Sequence, residues 1–267
     1  MQQRIRPAAV AGMFYPGDTA SLTTMLDGIF AGTARTTPDD PKALIVPHAG
    51  YIYSGPTAAM AYALLTPSRV RRVVLLGPVH RIPVRGLALP DADAFATPLG
   101  TVELNAQAMQ TIESLPQVSR NAAAHELEHS LEVQLPFLQR CLDDFTLLPL
   151  AVGDASPSEV AEVLSAIWGG DETLILISSD LSHFHPYAEA QHIDAGTADA
   201  ILHLHGPIGH HQACGATPVN GLLLLAAERG MQCRKVDVRN SGDTAGDRQR
   251  VVGYGAFAFY EEVHHDA

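Results

Sequence analysis

Short runs of β-branched and other apolar residues recur along the chain: KALIV (42–46), RRVVLLG (71–77), FTLLPLAVG (145–153), TLILISS (173–179), CRKVDV (233–238) and VVGYGAFAFY (251–260). Between most of them lie stretches with helical spacing, TASLTTMLDGIF (19–30), PTAAMAYALL (56–65), SPSEVAEVLSAIW (156–168) and PVNGLLLLAAERG (218–230). Strands that are apolar on both faces need helices on both sides. The alternation therefore predicts an α/β fold, a three-layer α/β/α sandwich around a mainly parallel or mixed sheet. Pro149 weakens one of the strands, because proline cannot donate to a ladder. Asp18 is placed to cap the first helix, and Thr217 followed by Pro218 reads as an N-cap with proline at the first helical position. In EHSLEVQLPFLQRCL (128–142), Leu131, Leu135, Leu138 and Leu142 fall on one helical stripe, which Pro136 is expected to kink.

No Pro-, Ser- and Gly-rich linker and no internal repeat divides the 267 residues, so one domain over 1–267 is expected. The apolar runs are too short to span a bilayer, and the N-terminal stretch is too short and too broken by Gly12 to be a signal core, so no membrane and a cytoplasmic location are expected. A formal charge of −12, spread along the chain, argues against nucleic acid as a partner. The one dense basic cluster, SRVRR (68–72), reads as a solvated strand entrance. Three cysteines without CxxC spacing imply reduced thiols rather than a disulfide framework. Cys141 and Cys233 read as small hydrophobic side chains.

Open α/β sheets bind ligands beyond the carboxyl ends of their strands. At those ends LIVPH delivers His48, VVLLGPVH delivers His80, and LILISSDLSH delivers Asp180 and His183. A single histidine after a strand is ordinary; three at equivalent ends suggest a shared centre. If their strands are parallel neighbours, His48 and His80 can approach one ion at about 2.1 Å. Cys214, in a Gly-flanked loop ahead of a helix, offers a third ligand whose thiolate the helix dipole and a metal would both favour. Asp180, three residues before His183, can orient that ring or raise its basicity, which is the arrangement of a general base. His185 is the competing candidate. HELEH (125–129) matches H-E-x-x-H literally, which on a helix would give a zinc peptidase with Glu126 as base, but no third ligand stands at a familiar distance. Tyr51 and Tyr53 line either a pocket or the core, and NSGDTAGD (240–247) reads as a loop able to close over a ligand.

Taken together, AGMFYPGD, VPHAGYIYSG, LLGPVH, EHSLEVQLPFLQ, SSDLSHFHPY, ACGATPV and NSGDTAGDRQRVVGYGA resemble the Memo family, in the same order from about residue 4 to 260. The family is named for its human member's role as a mediator of cell motility. The resemblance implies a fold like that of class III extradiol dioxygenases and, in bacteria and archaea, a functional link to a radical-SAM protein and an Ammecr-type protein in the AmmeMemoRadiSam system. It implies His48, His80 and Cys214 as metal ligands, with His183 in the place of the dioxygenase base. Glu128, His129 and Phe14 fall in its pocket segments. The expected catalytic set is thus His183, Asp180 and His129, and the expected pocket set Phe14, Tyr53 and Glu128. The metal is expected to be a transition metal, iron first, with copper or zinc next. Where the dioxygenases carry a carboxylate this chain has a thiol, a softer donor that argues against ring cleavage itself. The expected function is a metal-dependent oxidoreductase acting on a small molecule. The alternative is a non-catalytic protein on the same fold that binds a partner peptide or handles a redox-active metal.

Overall fold

The computed structural model describes residues 3–35, 37 and 39–261. In chain order its elements are β1 (Ile5–Arg6), α1 (Thr19–Phe30), β2 (Ala43–Val46), α2 (Tyr51–Tyr62), β3 (Arg72–Pro78), β4 (Leu87–Leu89), β5 (Ala94–Thr97), β6 (Gly100–Glu103), α3 (Ala106–Ile112), β7 (Val118–Arg120), α4 (Ala122–Glu126), a 3-10 turn (Glu132–Gln134) and α5 (Leu135–Cys141). There follow β8 (Thr146–Val152), α6 (Pro157–Ala166), β9 (Thr173–Ser178), β10 (His183–His185), α7 (Tyr187–Leu202), α8 (Ala216–Glu228), β11 (Gln232–Asn240), a second 3-10 turn (Ser241–Asp243) and β12 (Val251–Tyr260).

The main sheet runs β10-β12-β2-β9-β3-β8-β4-β7, with β11 on β12. Its centre, β2, β9, β3 and β8, is parallel, whereas β12 joins β2 and β4 joins β8 antiparallel. The sheet is therefore mixed around a parallel core. Every residue of β2 and β9 is buried, as strands covered on both faces must be. Helices α1, α2 and α5 pack on one another in one layer, and α3, α6 and α8 in another. A small sheet, β1-β5-β6, stands apart from the main one.

Pro149 is accommodated inside β8 because β4 pairs only with Ala151 and Val152 at the far end of that strand, leaving one side at Pro149 outside the ladder. Asp18 caps α1, its carboxylate accepting from the Ser21 N–H. Three helix expectations need correcting. Helix α2 begins at Tyr51 rather than Pro56, so Pro56 sits inside it. Gly50, not a polar side chain, precedes its first turn. Helix α8 is entered from Gly215, whose carbonyl accepts from Val219, and Thr217 is already helical. Pro218 still fits, since an N–H in the first turn would have no helical partner. The stripe at 131–142 is buried as predicted, but as a 3-10 turn leading into a short helix with Pro136 in its first turn. No kink is required there.

Among the described residues no helix is long and apolar enough to cross a membrane.

Candidate metal centre

Strand β9 lies between β2 and β3, so the chains leaving β2 and β3 pass on either side of its tip. That tip is Ser178 and Ser179, small enough for side chains from both neighbours to fold over it. His48 and His80 approach there to 5.3 Å between ring centroids. Cys214 arrives from the loop ahead of α8, its sulfur 3.3 Å from His48 Nε2. One ligand atom from each of His48, His80 and Cys214 lies within 4.8 Å of the others, close enough to hold a metal.

The approach of the thiol depends on a close backbone contact. The Gly215 N–H donates to Ser179 Oγ at 2.9 Å, and a Cβ on Gly215 would stand 2.7 Å from that of Ser179. Only glycine permits this spacing without displacement.

Hydrogen bonds fix the tautomer of both rings. Ser178 Oγ donates its one proton to the Ser130 carbonyl at 2.6 Å and accepts from Gln134 Nε2 at 2.8 Å. The Gln134 amide is itself oriented, because Nε2 also donates to the Pro47 carbonyl and Oε1 accepts from Tyr62. Facing an oxygen whose proton is spent, His48 Nδ1 at 2.9 Å must be the donor. Its Nε2 therefore carries a bare lone pair towards Cys214. His80 is held in the same way: Nδ1 lies 2.8 Å from Glu128 Oε1, and the carboxylate also accepts the His80 N–H at 2.6 Å. This is the arrangement by which metal-binding imidazoles are usually oriented.

The electrostatics follow from burial. Burial, then the neighbouring His129 and His80, holds His48 well below the ordinary histidine value, so it is neutral. Burial would raise the Glu128 carboxyl, but the His80 hydrogen bond and charge and the Ser130 N–H bring it down to about 2. Burial, then the Asp180 charge, pushes the Cys214 thiol up to about 12. The expectation that the helix dipole would favour a thiolate is thus corrected for the metal-free protein, where desolvation outweighs it. A bare His48 nitrogen and the His80 ring beside a buried thiol suit a transition metal, whose binding would supply the charge that displaces the thiol proton.

The remaining candidates divide. His129 lies against the centre, 4.5 Å from the His80 ring and 4.7 Å from Phe14, and with His80 and Glu128 makes a second close trio. Phe14 is fixed there by its carbonyl, which accepts from Tyr51 N–H. His183 Nδ1 donates to the Leu181 carbonyl at 2.9 Å, leaving its Nε2 free. Asp180 does not make the expected bond to His183: its carboxylate accepts the His48 N–H at 2.7 Å. It braces the turn that presents His48, and burial pushes it up to about 6. His185 pairs with the exposed Glu189 instead. Tyr51 belongs to the core, its hydroxyl donating to Val133, whereas Tyr53 is half-buried beside Gly50. A recess of about 430 Å³, bounded by Pro78, Val79, Val152, His210, Cys214 and Thr217, opens beside the thiol. A larger cavity of about 720 Å³, around Lys42, Arg69 and Tyr260, lies at the other end of the strands, away from the centre.

The zinc-peptidase reading is overturned. Helix α4 ends at Glu126, and Leu127 leaves the helical conformation, so His125 and His129 do not share a helical face. His125 is buried, donates from Nε2 to the Ala88 carbonyl, and belongs to no metal-capable group among the described residues. Cys141 and Cys233 are free thiols packed against the core. Ser178, Ser130 and Gln134 escape a sequence reading that looks for ligands. The polar end of TLILISS was the available signal for Ser178, but a buried Gln134 on an apolar stripe gives none.

Fold and cleft together define an α/β protein that gathers two imidazoles and a thiol at the carboxyl edge of a parallel sheet. The model of the Memo-like protein family matches residues 6–258, and the chain belongs to the Memo family. A "MEMO1 family protein" of Aquifex aeolicus is 37% identical over 94% of this chain and 97% of its own length. Another of Archaeoglobus fulgidus is 36% identical over 96% and 99%. Among solved structures, the uncharacterized protein JW3007 from Escherichia coli K12 shares the fold at 12% identity, with a TM-score of 0.51, covering 82% of this chain and 99% of that one.

Proposed function

We propose that this chain is a metalloprotein with a dioxygenase-like cleft, in which His48 Nε2, His80 Nε2 and Cys214 Sγ hold one transition metal and His183 moves a proton to or from a small substrate. The observation that carries this reading is the pair of protonated Nδ1 atoms, on Ser178 and on Glu128. They turn the other nitrogen of each ring, Nε2, to the metal side, near one sulfur. Iron is the first choice because the family resembles the class III extradiol dioxygenases; copper and zinc also accept two imidazoles and a thiolate. The metal would supply Lewis acidity and, if iron or copper, a redox couple.

The chain's own residues would do the rest. Glu128 and Ser178 fix the rings. His48 is buried while the His80 side chain is 31% exposed, so a substrate would enter from the His80 side. Phe14 and His129 would wall that entrance. His183, with Nδ1 tied to Leu181, presents Nε2 as the proton acceptor.

Elemental analysis of purified wild type, Cys214→Ala and His125→Ala tests the ligand set. One metal per chain is expected in wild type and His125→Ala, and none in Cys214→Ala; a metal retained without the thiol sinks the assignment. Aerobic and anaerobic turnover of catechols by the iron-loaded protein tests catalysis. The soft thiol favours a second reading, a metal-handling or redox-regulatory protein, and absence of metal-dependent product from any catechol would select it.

A further inference from the structure

The chain carries 17 lysines and arginines against 29 carboxylates, so a guanidinium without an acidic partner stands out. Arg4, Arg6, Arg69, Arg72, Arg85, Arg120, Arg140 and Arg239 are ion-paired. Arg81 is not: among the described residues it makes no hydrogen bond, ion pair or ring contact. It directly follows His80, is exposed, and its charge reaches His129.

Arg71, Arg229, Arg234, Arg248 and Arg250 likewise pair with no carboxylate among the described residues, and of these Arg250 is the one linked to the candidate proton acceptor, through Phe184. Its guanidinium pairs with no carboxylate among the described residues and instead lies 5.0 Å over the Phe184 ring; its backbone N–H faces Asp247. Phe184 is 60% exposed, and its ring stands 5.6 Å from that of His183. It also has φ of 63°, a left-handed backbone that is costly for a bulky residue. A strained, solvent-facing aromatic that props an uncompensated cation beside the proton acceptor is an arrangement that burial energy alone does not explain.

We propose that the cleft takes a small organic anion, its negative group held by Arg81 and Arg250 on the two sides of the centre. The inference rests on the reading of this cleft as a small-molecule site, and it adds the charge of the molecule. The two acids at the centre do not oppose it: Glu128 is spent on His80 and backbone N–H groups, and Asp180 accepts from His48. A guanidinium fork matches a carboxylate in geometry as well as charge.

The test compares protocatechuate with its neutral isostere 3,4-dihydroxybenzamide by calorimetric titration of the full chain, in wild type, Arg81→Gln, Arg250→Gln and the double variant. Both substituted side chains are exposed, and circular dichroism confirms that the variants fold. Protocatechuate should bind about tenfold tighter or more. Arg81→Gln and Arg250→Gln should each erode that advantage, with amide binding unchanged, and added salt should shrink it. Equal affinity for the pair, no binding of either, or an advantage that survives the double variant overturns the proposal. Metal content of the same samples separates this from the metal reading. Charge discrimination in a chain that holds no metal would leave the anion site and remove the metal, and a metal-loaded chain blind to charge would do the reverse.

Discussion

At the scale of single residues, the buried histidines set the acid limb of stability. His125 is driven by burial down to about 4, below the ordinary value near 6.5. The folded state thus binds fewer protons than the unfolded chain between those values, and stability falls as pH drops through that window. The loss for His125 is on the order of 3 kcal/mol at most. Asp180, raised to about 6, has the opposite sign between about 3.8 and 6 and offsets part of it. In His125→Gln the urea midpoint between pH 6.5 and 4 should fall less steeply than in wild type; identical slopes would show that His125 does not titrate across unfolding. Phe184 gives a prediction of another kind. Phe184→Gly relieves a left-handed conformation worth about 1–2 kcal/mol and removes a mostly exposed ring. Stability should therefore hold or rise in spite of the lost side chain, and a drop of more than about 1 kcal/mol would mean that the ring packs more than its exposure suggests.

At the scale of elements, one buried carboxylate ties the N-terminal segment to the wall of the cleft. Glu132, fully buried, accepts from the Arg6 guanidinium at 2.5 Å, from the Tyr15 hydroxyl at 2.6 Å and from the Ala9 and Val10 N–H groups. Arg6 in turn donates to the His125 and Glu128 carbonyls. The stretch that carries Phe14 is thereby fixed against the stretch that carries Glu128 and His129. Glu132→Gln leaves Arg6 buried without its counter-charge, and a loss of about 3–5 kcal/mol is expected in chemical denaturation. A loss under about 1 kcal/mol would show that water replaces the carboxylate. Gly215→Ala should destabilise as well, since the new methyl meets Ser179, and it should displace the thiol.

The central strands β2, β9, β3 and β8 and the exits bearing His48, His80 and Asp180 were legible because each run is apolar on both faces and ends abruptly in a polar residue. Residues 85–120 were not. Strands β4 to β7 are three or four residues long, too short for alternation to register. Helix α7 is polar enough, with Glu189, His192, Asp194 and Asp199 along it, to hide its period. The order β2-β9-β3 was also invisible, because nothing local states which strand inserts between which. The partner of Asp180 was misjudged for a related reason. Three-residue spacing suggested His183, while the sheet brings it the backbone of His48 from 132 residues away.

At the scale of the whole molecule, the proposed metal uptake would be coupled to proton release. The thiol is protonated at neutral pH, pushed up to about 12, and His48 is already neutral with Nε2 bare. Binding one divalent ion should therefore expel one proton, from Cys214. The apparent affinity should rise about tenfold per pH unit between pH 7 and 9. Calorimetry in buffers of different ionisation enthalpy should report one proton per metal; zero protons would place the thiol outside the coordination sphere. Because an ion held by these three side chains would grip only the native arrangement, saturating metal should also raise the melting temperature, and Cys214→Ala should abolish that rise.

The three candidate ligands come from far apart in the chain: Cys214 follows His48 by 166 residues. During synthesis at about 5–20 residues per second, a nascent polypeptide would already expose both imidazoles for several seconds before the sulfur emerged from the ribosome. The last strand of the sheet, β12, is made later still. Loading would accordingly be a late event in the life of each copy, and the cell would have to deliver the ion to a finished chain rather than to one in the making.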